Sequence, residues 1–224
     1  MIIDLYIIVV MCKKLCNSTL HTINELLKSK LVAIQLDGPW DKGYALDLHT
    51  TKSTYLGDDQ HGNPRFDTEY TDIGKLLNRL KYRNDKSTIP GIIRKICNSV
   101  TGIEKFDYII AIPPSNIERV FQPVFVVCEA LSEALNVKYI KNLLAKKEST
   151  EELKSIADPV ERNEILTGNY MLQKKIDLSA KDILLIDDLY RSGATLASAA
   201  EFLYNRCKVN KVSVLTLTKT RSNR

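Results

Sequence analysis

The sequence predicts an α/β protein with a central, mostly parallel sheet flanked by helices, and two stretches carry that expectation. In the first, the aliphatic run at residues 183–186 reads as a strand buried on both faces. Asp187-Asp188, a Ser192-Gly193 turn and helically spaced Leu196, Ala199, Ala200 and Leu203 follow it. In the second, residues 106–140 repeat the order strand, turn, helix, strand. Two such βαβ units imply a right-handed parallel arrangement. A chain of 224 residues can bury one substantial core. That core is assigned to residues 101–224, and residues 1–100 are expected to form a small α+β appendage of hairpin and helices packed on it.

Residues 1–10 are apolar but include Asp4, lack a leading Lys or Arg and are too short to span a bilayer, so no signal sequence or membrane anchor is expected. Met11, followed by Lys13 and Lys14, is an alternative start. Ser18 or Thr19 caps a helix with Ile23, Leu26 and Leu27 on one face. Alternation at Val32, Ile34 and Leu36, then at Tyr44, Leu46 and Leu48, predicts a hairpin turning at Asp37-Gly38-Pro39. Trp40 beside that turn either packs on its own sheet or stacks on a planar ligand. Residues 58–67 read as a polar loop, with Asp58, Asp59 and His61 as turn residues rather than metal ligands.

Thr71 or Asp72 caps a helix whose face is Ile73, Leu76, Leu77 and Leu80, and its basic end, Lys81 and Arg83, complements the helix dipole. Ser87 starts another, with Ile92, Ile93, Ile96 and Cys97 inward. The strand at 106–112 ends in Pro113-Pro114-Ser115-Asn116. Pro123 opens a helix with Val124, Val127, Cys128, Leu131 and Leu135 facing the core, and 137–140 gives the parallel partner strand. Residues 141–168 are charged and weakly periodic, which fits a solvated excursion or a mobile lid. Strands resume at 169–172 and 211–217, before a basic tail.

The chemistry is concentrated at the acidic pair. Unpaired charge has no place in a strand core, so Asp187-Asp188 should stop the strand, with Thr195 as a cap of the helix that follows. N–H groups at a helix start favour a phosphate, Ser192 and Thr195 add hydroxyls, and two acceptor-only carboxylates suit the two hydroxyls of a ribose. Together these residues resemble the motif of type I phosphoribosyltransferases that binds 5-phosphoribosyl pyrophosphate (PRPP). The resemblance implies that Asp187 and Asp188 contact the ribose hydroxyls as catalytic residues, touching metal only through PRPP and Mg²⁺. It also implies that Arg191, Ser192, Gly193, Ala194 and Thr195 wrap the 5'-phosphate. Arg191 departs from the small hydroxyl residue usual there; it can clamp the phosphate, lie across the site or point into water.

The order of features over roughly residues 70–220 resembles the ComF-like branch of these enzymes, without that branch's four-cysteine zinc element. The matching pieces are Leu80-Lys81-Tyr82-Arg83, Ile112-Pro113 with Arg119 downstream, and Thr150, Glu161-Arg162 and Gly168-Asn169-Tyr170. The resemblance implies a pyrophosphate loop of Pro113, Pro114, Ser115 and Asn116 with Arg119, and a flexible loop offering Lys146, Lys147 and Arg162. It implies Mg²⁺ as cofactor, PRPP and a small nitrogenous acceptor as substrates, and a homodimer. The alternative is a non-catalytic or regulatory PRPP- or nucleotide-binding protein with a protein or nucleic-acid partner, serving DNA uptake or a retron-type anti-phage defence system.

A net charge of +5 fits an anionic small molecule without demanding nucleic acid. Lys81, Arg83 and the basic tail lack the aromatic interleaving of a single-strand binder. Five irregularly spaced cysteines read as reduced thiols, and the expected location is cytoplasmic.

Overall fold

A computed structural model describes residues 33–100, 102–114, 121–146 and 170–221. The segments expected at 1–10 and 18–30, with Ser115, Asn116, Arg119 and the 147–169 stretch holding Lys147 and Arg162, lie outside the described residues. In chain order the elements are β1 (Ile34–Gln35), β2 (Lys42–Ala45), β3 (Thr50–Asp58), β4 (Pro64–Tyr70), α1 (Asp72–Arg83), α2 (Ile89–Ser99) and β5 (Tyr108–Ala111). There follow α3 (Pro123–Leu135), β6 (Lys138–Tyr139), β7 (Leu144–Lys146), β8 (Tyr170–Leu172), β9 (Asp182–Tyr190), α4 (Ala194–Cys207) and β10 (Lys211–Lys219).

Six strands form one sheet in the order β1-β2-β10-β9-β5-β6. Only β1 runs antiparallel, paired with β2 as the expected hairpin. Strand β9 sits at the centre, with Val212 to Leu215 beside Ile183 to Ile186 on one side and Tyr108 to Ala111 on the other. Its side chains alternate between two cores. Ile183 and Leu185 pack with α4 through Leu196, Ala199, Ala200 and Leu203. Leu184 and Ile186 pack with α1, α2 and α3 through Leu77, Leu80, Ile92, Ile96 and Val127. A strand buried on both faces needs the unbroken aliphatic run that the sequence shows.

The chain leaves β5 through α3 towards β6 on one side, and leaves β9 through α4 towards β10 on the other. Right-handed crossovers in opposite directions place the two helices on opposite faces and open a crevice at the carboxyl ends of β5 and β9. Pro113 and Pro114 enforce it. After the Ile112 N–H donates to the Ile186 carbonyl (2.9 Å), two residues without an N–H end the pairing on that side. Strand β9 nevertheless continues against β10 through Asp187, Leu189 and Tyr190. Contrary to the expectation from sequence, the acidic pair therefore does not stop the strand; it lies within it, on an edge that β5 has vacated.

Other differences have similarly local causes. Residues 58–67 are not a loop throughout: β3 and β4 form a two-stranded ribbon around a turn in which the Asp59 carboxylate accepts the His61 and Asn63 N–H groups (2.8 and 2.9 Å). Those bonds hold the Asp59 carboxyl below its ordinary range. Ser87 lies in a short 3-10 turn capped by Asp85, and α2 begins after it with Pro90 in its first turn. Cys97 is exposed rather than inward. Trp40 packs on its own sheet, its indole N–H donating to the Leu36 carbonyl (2.9 Å) while its ring covers Gly38 and Gly43. The described residues group as one unit from Ala33 onward, with β2 joined to β10 and α1 and α2 in a shared core.

Helix α1 is tied to the end of β2 at close range. Thr71 caps it by accepting from the Gly74 N–H (3.1 Å) and donates its own hydroxyl to the Leu48 carbonyl (2.6 Å). A Cβ on Gly74 would collide with the His49 carbonyl. Gly74→Ala should therefore lower stability by about 1–3 kcal/mol, although Ala is the better helix former by about 1 kcal/mol. Urea melts measure this; an equal or higher midpoint for the variant would show that the backbones are not so close.

Candidate functional site

The crevice holds a cavity of about 340 Å³ that gathers residues from separate parts of the chain. Strand β9 supplies Asp187 and Asp188, the turn after it Arg191, and α4 Thr195. Pro113 and Pro114 come from the end of β5, Lys81 from α1 and Lys146 from the end of β7. The start of α3 adds Gln122, Val124 and Phe125. An adjoining cavity of about 160 Å³ is formed by Asp187 with residues 189–196, including Ser192, Gly193 and Ala194. Thus the described members of the expected acidic, phosphate-turn and loop sets meet in one place. Arg83 does not join them: it is exposed and outside both cavity linings.

The turn at the smaller cavity works through its backbone. Gly193, at φ +82° and ψ −7°, caps α4, so the helix begins one residue before Thr195 and that threonine is a first-turn residue, not the cap. The first-turn N–H groups of α4 have no carbonyl ahead of them and face the cavity end. Ser192 Oγ accepts the Ala194 N–H at the limit of hydrogen bonding (3.5 Å). Tyr170, buried on β8, donates to the Thr195 carbonyl (3.3 Å) and steadies that turn from below. Burial first pushes the Tyr170 phenol up to about 12, so it remains a donor.

The two carboxylates stand in different electrostatic states. Burial first, and then the charge of Asp188, push the Asp187 carboxyl up to about 7; Lys81 and Lys146 pull it back. Asp187 accepts the Asp188 N–H (2.8 Å). Asp188 is ion-paired to Lys81 at 2.7 Å. Asp187 is thus readily protonated in the free protein, whereas Asp188 faces the Lys81 ammonium. With Lys81, Lys146 and Arg191 around them, the lining carries a net positive charge suited to a polyanion.

Sequence reasoning missed His49. An isolated bridge between Leu48 and Lys219 sets the chain just before it, and its own N–H donates to the Lys219 carbonyl (2.7 Å). Its Nδ1 lies 3.1 Å from Thr218 Oγ1, whose proton goes to the Asp188 carbonyl (3.1 Å). Nδ1 must then be the donor, which leaves Nε2 bare. Burial first, then the charge of Lys81, hold this imidazole below its ordinary value, so the ring is neutral at pH 7. Nothing local in the sequence marks His49, because contacts 169 residues apart place it.

Among the described residues no group of three or more His, Cys, Asp or Glu side chains is placed to hold a metal ion. With an ammonium already on Asp188, the residues present fit a Mg²⁺ that takes its oxygen ligands chiefly from a bound molecule and water rather than from the carboxylate pair. No described helix is long and apolar enough to cross a membrane.

No family model matches the chain, and no curated protein matches it. Among solved structures it is similar to adenine phosphoribosyltransferase from Thermoanaerobacter pseudethanolicus, at 16% identity over 75% of this chain and 83% of that one, with a TM-score of 0.40. It is similar to orotate phosphoribosyltransferase from Aeropyrum pernix, at 14% identity over 74% and 75%, with a TM-score of 0.41. It is also similar to UMP synthase from Leishmania donovani, at 17% identity and a TM-score of 0.37; the match covers 72% of this chain and 27% of that one.

Proposed function

We propose that the chain binds PRPP with Mg²⁺ and transfers its 5-phosphoribosyl group to a nitrogen acceptor, releasing pyrophosphate. One observation supports this above all. An acidic pair suited to a ribose diol, a glycine-capped helix start suited to its 5'-phosphate and a cationic wall suited to a pyrophosphate meet in a single crevice. Separately each is common; a single ligand carries partners for all three.

In this scheme the first-turn N–H groups of α4, with Ser192 and Thr195, hold the 5'-phosphate. Asp187 and Asp188 accept the ribose hydroxyls and face the ring as positive charge develops at C1. Lys146 and the start of α3 face the departing pyrophosphate. Mg²⁺, when bound, neutralises pyrophosphate charge and holds it in orientation. Pro113, Pro114 and Phe125 form an apolar wall that keeps water from the reacting carbon.

Calorimetry and thermal melts with PRPP test binding, and a pyrophosphate-release screen over bases and amines tests turnover. PRPP should bind in a Mg²⁺-dependent way and raise the melting temperature, by about 2.7 kcal/mol of stability at a ligand concentration one hundred times Kd. No heat and no melting shift at millimolar PRPP with Mg²⁺ would refute the proposed binding. Tight binding without release for any acceptor would instead mark a PRPP-sensing protein.

A further inference from the structure

The ion pair between Lys81 and Asp188 joins residues 107 positions apart and puts a fixed cation beside one of the two carboxylates. Packing delivers it there. Along α1, Ile73 and Leu77 are buried, and Lys81 continues their four-residue spacing, so the stem of the lysine leaves the helix on its core face. Tyr82 and Arg83, one and two residues on, turn outward. The Lys81 and Asp188 side chains are only 25% and 22% exposed, so the ammonium is held in the cavity wall rather than waving through solvent. An ionised carboxylate has about four lone-pair sites and the lysine takes one, which leaves room for a ribose hydroxyl alongside.

We infer that Lys81 is a built-in substitute for a divalent cation at Asp188, so that the ribose 5-phosphate half of the ligand is held without metal; this rests on the binding reading proposed above. A divalent ion entering beside Asp188 would stand against the ammonium, and two positive charges that close repel strongly in a partly desolvated site. Mg²⁺ is then required only where the pyrophosphate lies, towards Lys146 and the start of α3. Lys81 is a positioning residue here: it offsets the charge of Asp188, which touches the sugar, and fixes its orientation.

Ribose 5-phosphate, which has the diol and the phosphate but no pyrophosphate, is the probe. Its affinity is measured by calorimetry in EDTA and in Mn²⁺ for the parent, Lys81→Met and Lys81→Arg, with circular dichroism and melting curves confirming that each is folded. Lys81→Gln replaces Lys81→Met should the latter not fold. Binding of Mn²⁺ alone, followed by electron paramagnetic resonance, is measured for the same proteins. The parent and Lys81→Arg should bind the sugar phosphate within about twofold with and without Mn²⁺. Lys81→Met should bind at least tenfold more weakly in EDTA, recover in Mn²⁺, and take up Mn²⁺ alone at least tenfold more tightly than the parent. A parent that needs Mn²⁺ for ribose 5-phosphate, or a neutral variant that gains neither Mn²⁺ affinity nor Mn²⁺ dependence, overturns the inference. If no protein binds ribose 5-phosphate, the proposed function falls, and the Mn²⁺-alone comparison still decides the role of Lys81.

Discussion

Asp187→Asn and Asp188→Asn should each lower the rate of pyrophosphate release by about two to three orders of magnitude, while PRPP affinity changes by less than about tenfold. Asparagine keeps the shape and an acceptor oxygen, so the diol retains a partner. What disappears is negative charge facing a ribose that becomes cationic only as pyrophosphate departs. An interaction made in that state alone acts on turnover rather than on binding. Parallel losses in affinity and rate would show that the carboxylates merely bind.

The two substitutions should part company in stability. The Asp187 carboxyl is raised to about 7 in the folded protein, by burial first and by Asp188 second, against about 3.9 for an unfolded chain. Its contribution is fully present below about pH 4 and is lost as pH rises through 7, because the folded state then has to hold an unfavourable charge. Asp187→Asn removes that loss. The variant should melt close to the parent at pH 4 and be more stable at pH 8, by on the order of 2 kcal/mol. Melts across pH 4–8 read this directly; a constant difference over the range would show that Asp187 titrates normally. The more stable protein would be the less active one, as expected where a site holds charge for chemistry rather than for folding.

How much of this was legible in the sequence depends on whether the deciding contact is local. Strand β9 was plain because two buried faces demand an aliphatic run, and the turn after it because Gly193 and the helical spacing from Leu196 lie within a dozen residues. The β3–β4 ribbon was not. Its strands are exposed on nearly every residue, so no alternation marks it; the β-favouring Thr50, Thr51, Thr54 and Tyr55 were the only sign. The continuation of β9 through the acidic pair was hidden because its cause lies in another segment, where Pro113 and Pro114 end pairing with β5 but β10 carries on. Lys81 did leave a trace. A lysine four residues after Leu77 and eight after Ile73 extends an apolar stripe, and a charge on such a stripe calls for a partner; naming Asp188 as that partner required the fold.

Gly193→Val should reduce affinity for ribose 5-phosphate by a hundredfold or more and destabilise the protein by about 1–3 kcal/mol. Two separate penalties meet at this residue. Its φ of +82° is a left-handed conformation that a β-branched residue rarely adopts. The space is also taken, since a Cβ would lie 2.6 Å from the Tyr190 hydroxyl and 2.9 Å from two of its ring carbons. Tyr190 is 7% exposed and packed in the core with Leu196, so the ring cannot swing into water without opening that side of the turn. Relief by a change of φ would instead rotate the peptide that opens α4 and re-aim the N–H groups the phosphate needs. Adding Tyr190→Ala separates the two penalties: it removes the collision and leaves the backbone strain. If Gly193→Val costs much less affinity in the Tyr190→Ala background, the collision dominates; an equal cost in both backgrounds assigns the loss to φ. Unchanged affinity in a folded Gly193→Val protein would remove this turn from the phosphate site altogether.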